Sequence, residues 1–500
     1  MHNKHLPSRL AWIAISLVLF SGVAAARPSD KDALPLSTKS REVRRLLDEA
    51  WRLNLDEVQQ AKAIEVMHKA IAKDPNFAFG HLLLAQCSLD PAEQVREQQK
   101  AYATRSHASA GEQLAIDWFQ NAADHKLIPA ITKMNELLGK YPHDRWVVFL
   151  ANWWLTQETQ YERAVAVYER SGINDSPGLM NNTAYTYAYM RQFDRAFALM
   201  EKYVAALPKN PNPQDSYAEI LRMAGRYDQS IQHYRAALAI DPQFYSSAYG
   251  IADTYSLMGN QTRAREEYQN AFKKFPDIPE LHVVQWRSRE AQTFVREGNY
   301  AGADRAFQAI ADHAHQKAMS QVEADTYRQM ALYQPDAKQA MHLLDQAEAA
   351  VRQGKNATSL ALQQVQAQIL RARVETGLKM GNKKVVASNL QQLEVLSQDV
   401  NDKLIETAYH GAAGAALYSK HKYNEAMSHL EEDGNNPLSL KLLSACYEKV
   451  GYASEANRVN QTLANLNDPS LEQAIVVPGF RKCFEDPRCS GKLKNAALTK

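Results

Sequence analysis

Five positions in the middle of this chain recur at a step of 34 residues, and that step restricts the possible folds more than any other feature of the sequence. Small residues keep it at Ala184, Ala218 and Ala252, and again at Ala196, Ser230 and Ala264. Bulky residues keep it at Tyr187, Leu221 and Tyr255 and at Met200, Tyr234 and Tyr268, while Pro208, Pro242 and Pro276 close each unit. A single-domain helical bundle, the competing fold, has no reason to repeat at a fixed interval. The step points to an array of like units.

Each unit has two helical stretches. Tyr217 and Leu221 precede a break, and Ile231, Tyr234 and Leu238 follow it at helical spacing. The break holds Gly225, the residue type that ends a last helical turn with least strain. Asp241 and Pro242 end the second helix, because a residue before proline disfavours the α region. Ala218 and Ser230 fall where the two helices cross, and a larger side chain there would push them apart. Tyr234 fills the gap to the neighbouring helix. One such hairpin cannot bury its apolar face alone, so stacking must supply the core. With 20 glycines in 500 residues and many Ala, Gln, Leu, Glu, Lys and Arg, the composition favours an all-α fold.

The pattern resembles the tetratricopeptide repeat family, whose period is 34 residues. The resemblance covers roughly residues 41–465 and is strongest over 145–311. Upstream it shows in Ala63, Met67, Ala70 and Pro75, in Ala130, Met134, Leu137 and Pro142, and in Ala164 and Tyr168. Downstream, Gly298, Tyr300, Ala303 and Phe307 follow the order but arrive five residues late. Looser units follow around Ala340 and Leu344, Gly381 and Leu393, and Tyr423, Ala426, Leu430, Gly451 and Ala456. Trp118 breaks the pattern by standing at a small-residue position. The resemblance implies a right-handed superhelical solenoid of helix hairpins. The expected organisation is a signal peptide at 1–26, a flexible lead at 27–40, divergent repeats at 41–144, the core array at 145–311, divergent repeats at 312–465 and a capping tail at 466–500.

In that family the first helix of each unit lines a concave groove. Carried onto this sequence, the inward positions are Trp146, Phe149 and Trp153, then Asn181, Tyr185 and Tyr189, then Asp215, Glu219 and Arg222, then Tyr249 and Asp253. They imply a groove for a peptide or helix, apolar at one end and mildly acidic at the other, with core packing as the other fate open to the aromatics. The family's terminal-carboxylate binders use lysine and asparagine at set groove positions. Here those fifth positions hold Phe149, Asn181, Asp215 and Tyr249, and only Asn182 fits, so a terminal carboxylate is not the expected ligand.

Lys4 and Arg9 precede an apolar run at 10–20, followed by small residues with Ala24 and Ala26 at a cleavage-type spacing. The run is shorter than the ~20 residues a spanning helix needs, so an exported, periplasmic or secreted bacterial protein is expected rather than an N-terminally anchored one. The chain carries a formal charge of +2, and both Lys4 and Arg9 belong to the leader, so the remainder is formally neutral. That excludes the basic excess of a nucleic-acid binder. Of four cysteines, Cys87 and Cys446 fall in helical patterns, and Cys483 and Cys489 flank a turn-like insert that could carry a local disulfide. The sequence has no phosphate loop, dinucleotide fingerprint, zinc-protease motif or nucleophile elbow. His313 and His315 lie two apart near a helix end, where favourable terminus charge explains them better than a metal. The expectation is a non-catalytic scaffold without cofactor or metal that binds a protein or peptide; an accessory subunit of an envelope enzyme or transport complex is the alternative.

Overall fold

The computed structural model describes residues 33–485 apart from 125 and 401. The leader at 1–26 and Cys489 lie outside them, and the side chain of Cys483 is likewise not described. Among the described residues are 25 α-helices and no strand. The first twenty-four pair in chain order as hairpins, and each hairpin packs on the next. The chain is an α-solenoid, as the repeat step requires.

The central unit shows why the step produces a hairpin. Helices Asn212–Met223 and Tyr227–Ile240 cross at Ala218 and Ser230, both fully buried, with Tyr234 beside them at 2% exposure. The next helix, Tyr245–Leu257, approaches so closely that a Cβ on Gly250 would stand 2.4 Å from the Tyr234 ring. Gly225 takes φ +76° at the turn, and Gly259 takes +92° one unit later. The preceding unit puts Arg191 at the same place with φ +58°, so the turn is kept even where no glycine relieves it.

Several divergent features have local explanations. Trp118, within helix Ala110–Ala123, is fully buried and meets Trp154 edge to face at 5.4 Å. It fills space that a small residue would leave empty. That helix opens with a reciprocal capping box between Ser109 and Glu112. Glu112 also accepts the Ser37 amide, Asp144 accepts the Leu34 amide at 2.8 Å, and Asp74 accepts the Thr38 hydroxyl at 2.7 Å. The described part of the expected flexible lead is therefore pinned against three separate hairpins. His313 and His315 each meet a glutamate from elsewhere in the fold, Glu280 and Glu323. Cys87 and Cys446 are buried free thiols, and burial pushes Cys87 up to about 12.

The tail does more than cap. Helix Leu471–Glu485 packs on the last hairpin and also reaches back to helices Glu280–Glu297 and Ser320–Tyr333. Leu471, Ala474 and Val477 are buried in those contacts. The linker before it enters the inner side of the core array.

Candidate functional site

The structure divides the expected groove residues into three groups. Trp146, Phe149 and Trp153 line a mainly apolar cavity of about 300 Å³, closed on its other side by the first hairpin. Trp51 packs edge to face on Trp146 at 4.5 Å and on Phe149 at 5.7 Å. The turn after Trp51 is tied to the hairpin of helices Pro177–Tyr189 and Phe193–Ala206: the Asp56 side chain accepts the Gly178 amide at 2.9 Å and its carbonyl accepts the Tyr203 hydroxyl at 2.7 Å. Tyr249 is a correction. It is fully buried, stacks on Trp286 with ring centroids 4.1 Å apart, and belongs to the core because the following helix lies across its face.

Four of the polar residues, Tyr185, Glu219, Arg222 and Asp253, form one connected network. The Tyr185 hydroxyl donates to Glu219 at 2.8 Å, and Arg222 donates to Glu219 at 2.8 Å and to Asp253 at 3.3 Å. Asp253 also accepts from Arg289 at 2.7 Å and from the Tyr268 hydroxyl. Asp215 accepts the Ser247 hydroxyl at 2.6 Å. Arg222 and Asp253 are buried, whereas the Glu219 side chain keeps 38% of its surface exposed deep inside the superhelix. Burial opposes charge on Glu219, but Arg222, Tyr185 and Arg289 outweigh it and hold the carboxyl below its ordinary pKa. Burial pushes Asp215 up to about 7 despite the Ser247 hydrogen bond. Asn181 is half-buried, with its Oδ1 shielded and unpartnered, and Tyr189 stays exposed beside Tyr161.

The inner side of this network is occupied by the chain itself. Arg191 donates to the Asn465 carbonyl at 2.7 Å, Tyr227 donates to Asn467 at 2.6 Å, and Asn467 donates to the Met223 carbonyl at 3.1 Å. Asp468 follows within the field of Arg222, Arg191 and Arg289. The expected groove over 177–257 is thus largely spent on internal contacts.

The open concavity lies one stretch further along. Helices Glu280–Glu297, Ser320–Tyr333 and Ser359–Lys379 and the turn at 433–437 enclose about 880 Å³. Its walls carry many carboxamides. Gln329 is used by Ser288 and Asp325, and Gln364 donates to Asp402. The side chains of Gln285, Gln292, Gln321, Gln368 and Asn435 have no hydrogen-bond partner among the described residues. Gln285 and Gln292 share one helical face with Arg289. The charged groups of the walls are already matched: Arg328 donates to Asp325 at 2.7 Å and to Glu472 at 3.2 Å, and Asp433 accepts from Arg371 at 2.7 Å. Such a surface offers donors and acceptors side by side, with its charged groups already paired.

None of these five was named from the sequence. After Pro276 the register slips by five residues and the helices lengthen to 18 and 21 residues, so projection from the 34-residue step no longer finds the inner face. The recoverable signal was a run of glutamines at helical spacing, Gln364 and Gln368 above all.

A profile described as tetratricopeptide repeat matches residues 221–285. No curated protein matches the sequence. Similar solved structures include yeast Tom70, 14% identical over 90% of this chain and 99% of that one, with a TM-score of 0.38. PilW, a type IV pilus biogenesis factor, is 15% identical over 49% of this chain and 99% of its own, with a TM-score of 0.30. A tetratricopeptide repeat protein from Parabacteroides merdae is 14% identical over 59% and 98%, with a TM-score of 0.30. The 34-residue step, the stacked hairpins it builds and the match at 221–285 show that this α-solenoid carries tetratricopeptide repeat sequence over residues 221–285.

Proposed function

We propose that the chain is an adaptor of the cell envelope that receives an extended polypeptide in the concavity between helix Glu280–Glu297 and the turn at 433–437. The observation that carries this is the set of five unspent carboxamides. A carboxamide presents one donor and one acceptor side by side, the complement of a peptide unit. Several along one wall suit a backbone of any sequence.

Peptides selected from a random displayed library on the full chain test the groove. Gln292→Ala combined with Gln368→Ala should weaken selected binders about tenfold, the effect of about 1.4 kcal/mol from two lost hydrogen-bonding groups. Binders indifferent to both changes would place recognition elsewhere. The envelope assignment rests on the basic, apolar and small-residue order of 1–26. N-terminal sequencing of the native protein should begin at Arg27, and an intact leader on cytoplasmic material would refute it.

A further inference from the structure

The inner stripe of helix Glu280–Glu297 does not end with the carboxamides. One turn beyond Gln292 it presents the partly buried Arg296, whose situation differs from that of the buried arginines. Arg222 has Glu219 and Asp253, Arg328 has Asp325 and Glu472, and Arg371 has Asp433 and Glu375. Arg296 has no hydrogen bond or ion pair among the described residues, and its Nε is shielded from water. Burial, followed by repulsion from Arg481, pushes its pKa down to about 10.

Arg481 makes the imbalance larger. It stands on helix Leu471–Glu485 and donates only to neutral acceptors: the Ala464 carbonyl at 2.8 Å, the Leu466 carbonyl at 2.9 Å, the Leu257 carbonyl at 3.5 Å and the Asn467 side chain. Asp253, whose field reaches Arg296, is already shared by Arg222, Arg289 and Tyr268. A guanidinium offers five N–H donors, and on the partly buried Arg296 none of them has an acceptor among the described residues, the shielded Nε included. Helices Glu280–Glu297 and Leu471–Glu485 pack together, each carries one of these guanidiniums, and neither guanidinium has a carboxylate of its own among the described residues, which calls for an anion from outside.

We propose that Arg296, with Arg481 beside it, receives an oxyanion inside the superhelix, between helix Glu280–Glu297 and helix Leu471–Glu485. The shared ligand chemistry is a phosphate group or the carboxylate of an acidic side chain, each able to accept two parallel N–H bonds from one guanidinium. The site stands apart from the carboxamide groove and is read whether or not a polypeptide docks there.

Calorimetric titration of the full chain in a chloride-only buffer tests it, with inorganic phosphate and a blocked Ala-Glu-Ala tripeptide as separate probes. Binding of at least one probe, weakened about tenfold or more by Arg296→Gln, supports the site. Phosphate alone would identify a free ion or phosphoryl group as the source, and the tripeptide alone an acidic partner side chain. The thermal melt of Arg296→Gln without either probe should lie at or above that of the parent chain, because the substitution removes an unmatched charge. A lower melt would mark Arg296 as purely structural and overturn the proposal, as would the absence of binding by both probes or binding that Arg296→Gln leaves unchanged.

Discussion

The inner faces of 177–257 and 280–437 are built by the same hairpin stacking, and they have opposite fates. In the first, Tyr185, Asp215, Glu219, Arg222 and Asp253 all find partners within the chain, and the linker at 465–468 lies over what remains. In the second, the charges are matched but five carboxamides are left unspent around an open volume. Groove position alone therefore does not mark a binding surface. What marks it is hydrogen-bonding capacity that the fold has not used.

The sharpest way to break this comparison is to remove the centre of the closed network. Asp253→Ala leaves the buried Arg222 and the half-buried Arg289 without their shared carboxylate, while the Asp253 side chain itself is only 4% exposed. Truncating one partner of such a pair costs about 3–5 kcal/mol. Urea denaturation should show the midpoint fall sharply. A midpoint within error of the parent would mean that the network is not holding the core units together.

A smaller effect comes from Asp215, on the same face. Its carboxyl titrates near 7 in the folded chain against about 3.9 when unfolded. Between those values the folded state holds the extra proton, so this group's contribution to stability falls as pH rises from about 4 to about 7. Asp215→Asn removes the titration while keeping an acceptor for the Ser247 hydroxyl. The variant should gain stability on the parent chain across that window and run parallel to it on either side. Melting curves taken through the window check the sign, and a gain in the opposite direction would mean that burial does not govern Asp215.

The fold was legible because its determinants are local. Ala218, Ser230 and Tyr234 announce a helix crossing, and the prolines announce unit ends, wherever the rest of the chain goes. The site was legible only in part, because it depends on contacts between residues hundreds of positions apart. Nothing near Asn467 signals that it will meet Tyr227 and Met223. Tyr249 fits an inward position by register, yet Trp286 on the next unit's lengthened helix turns it into core. Register tells which face a residue takes within its own hairpin; it does not tell what another part of the chain lays over that face.

The smallest expected effect sharpens the comparison from the open side. Gln292 is 6% exposed and Gln368 half-buried, yet neither amide holds a neighbour. Replacing both by alanine breaks no hydrogen bond within the chain and leaves no charge unpaired; the cost is the packing of the buried Gln292 side chain, about 1 kcal/mol. The pair should therefore melt far closer to the parent chain than Asp253→Ala does, while losing affinity for selected peptides. A drop in melting comparable to that of Asp253→Ala would show that these carboxamides are structural after all, and would erase the difference between the two faces.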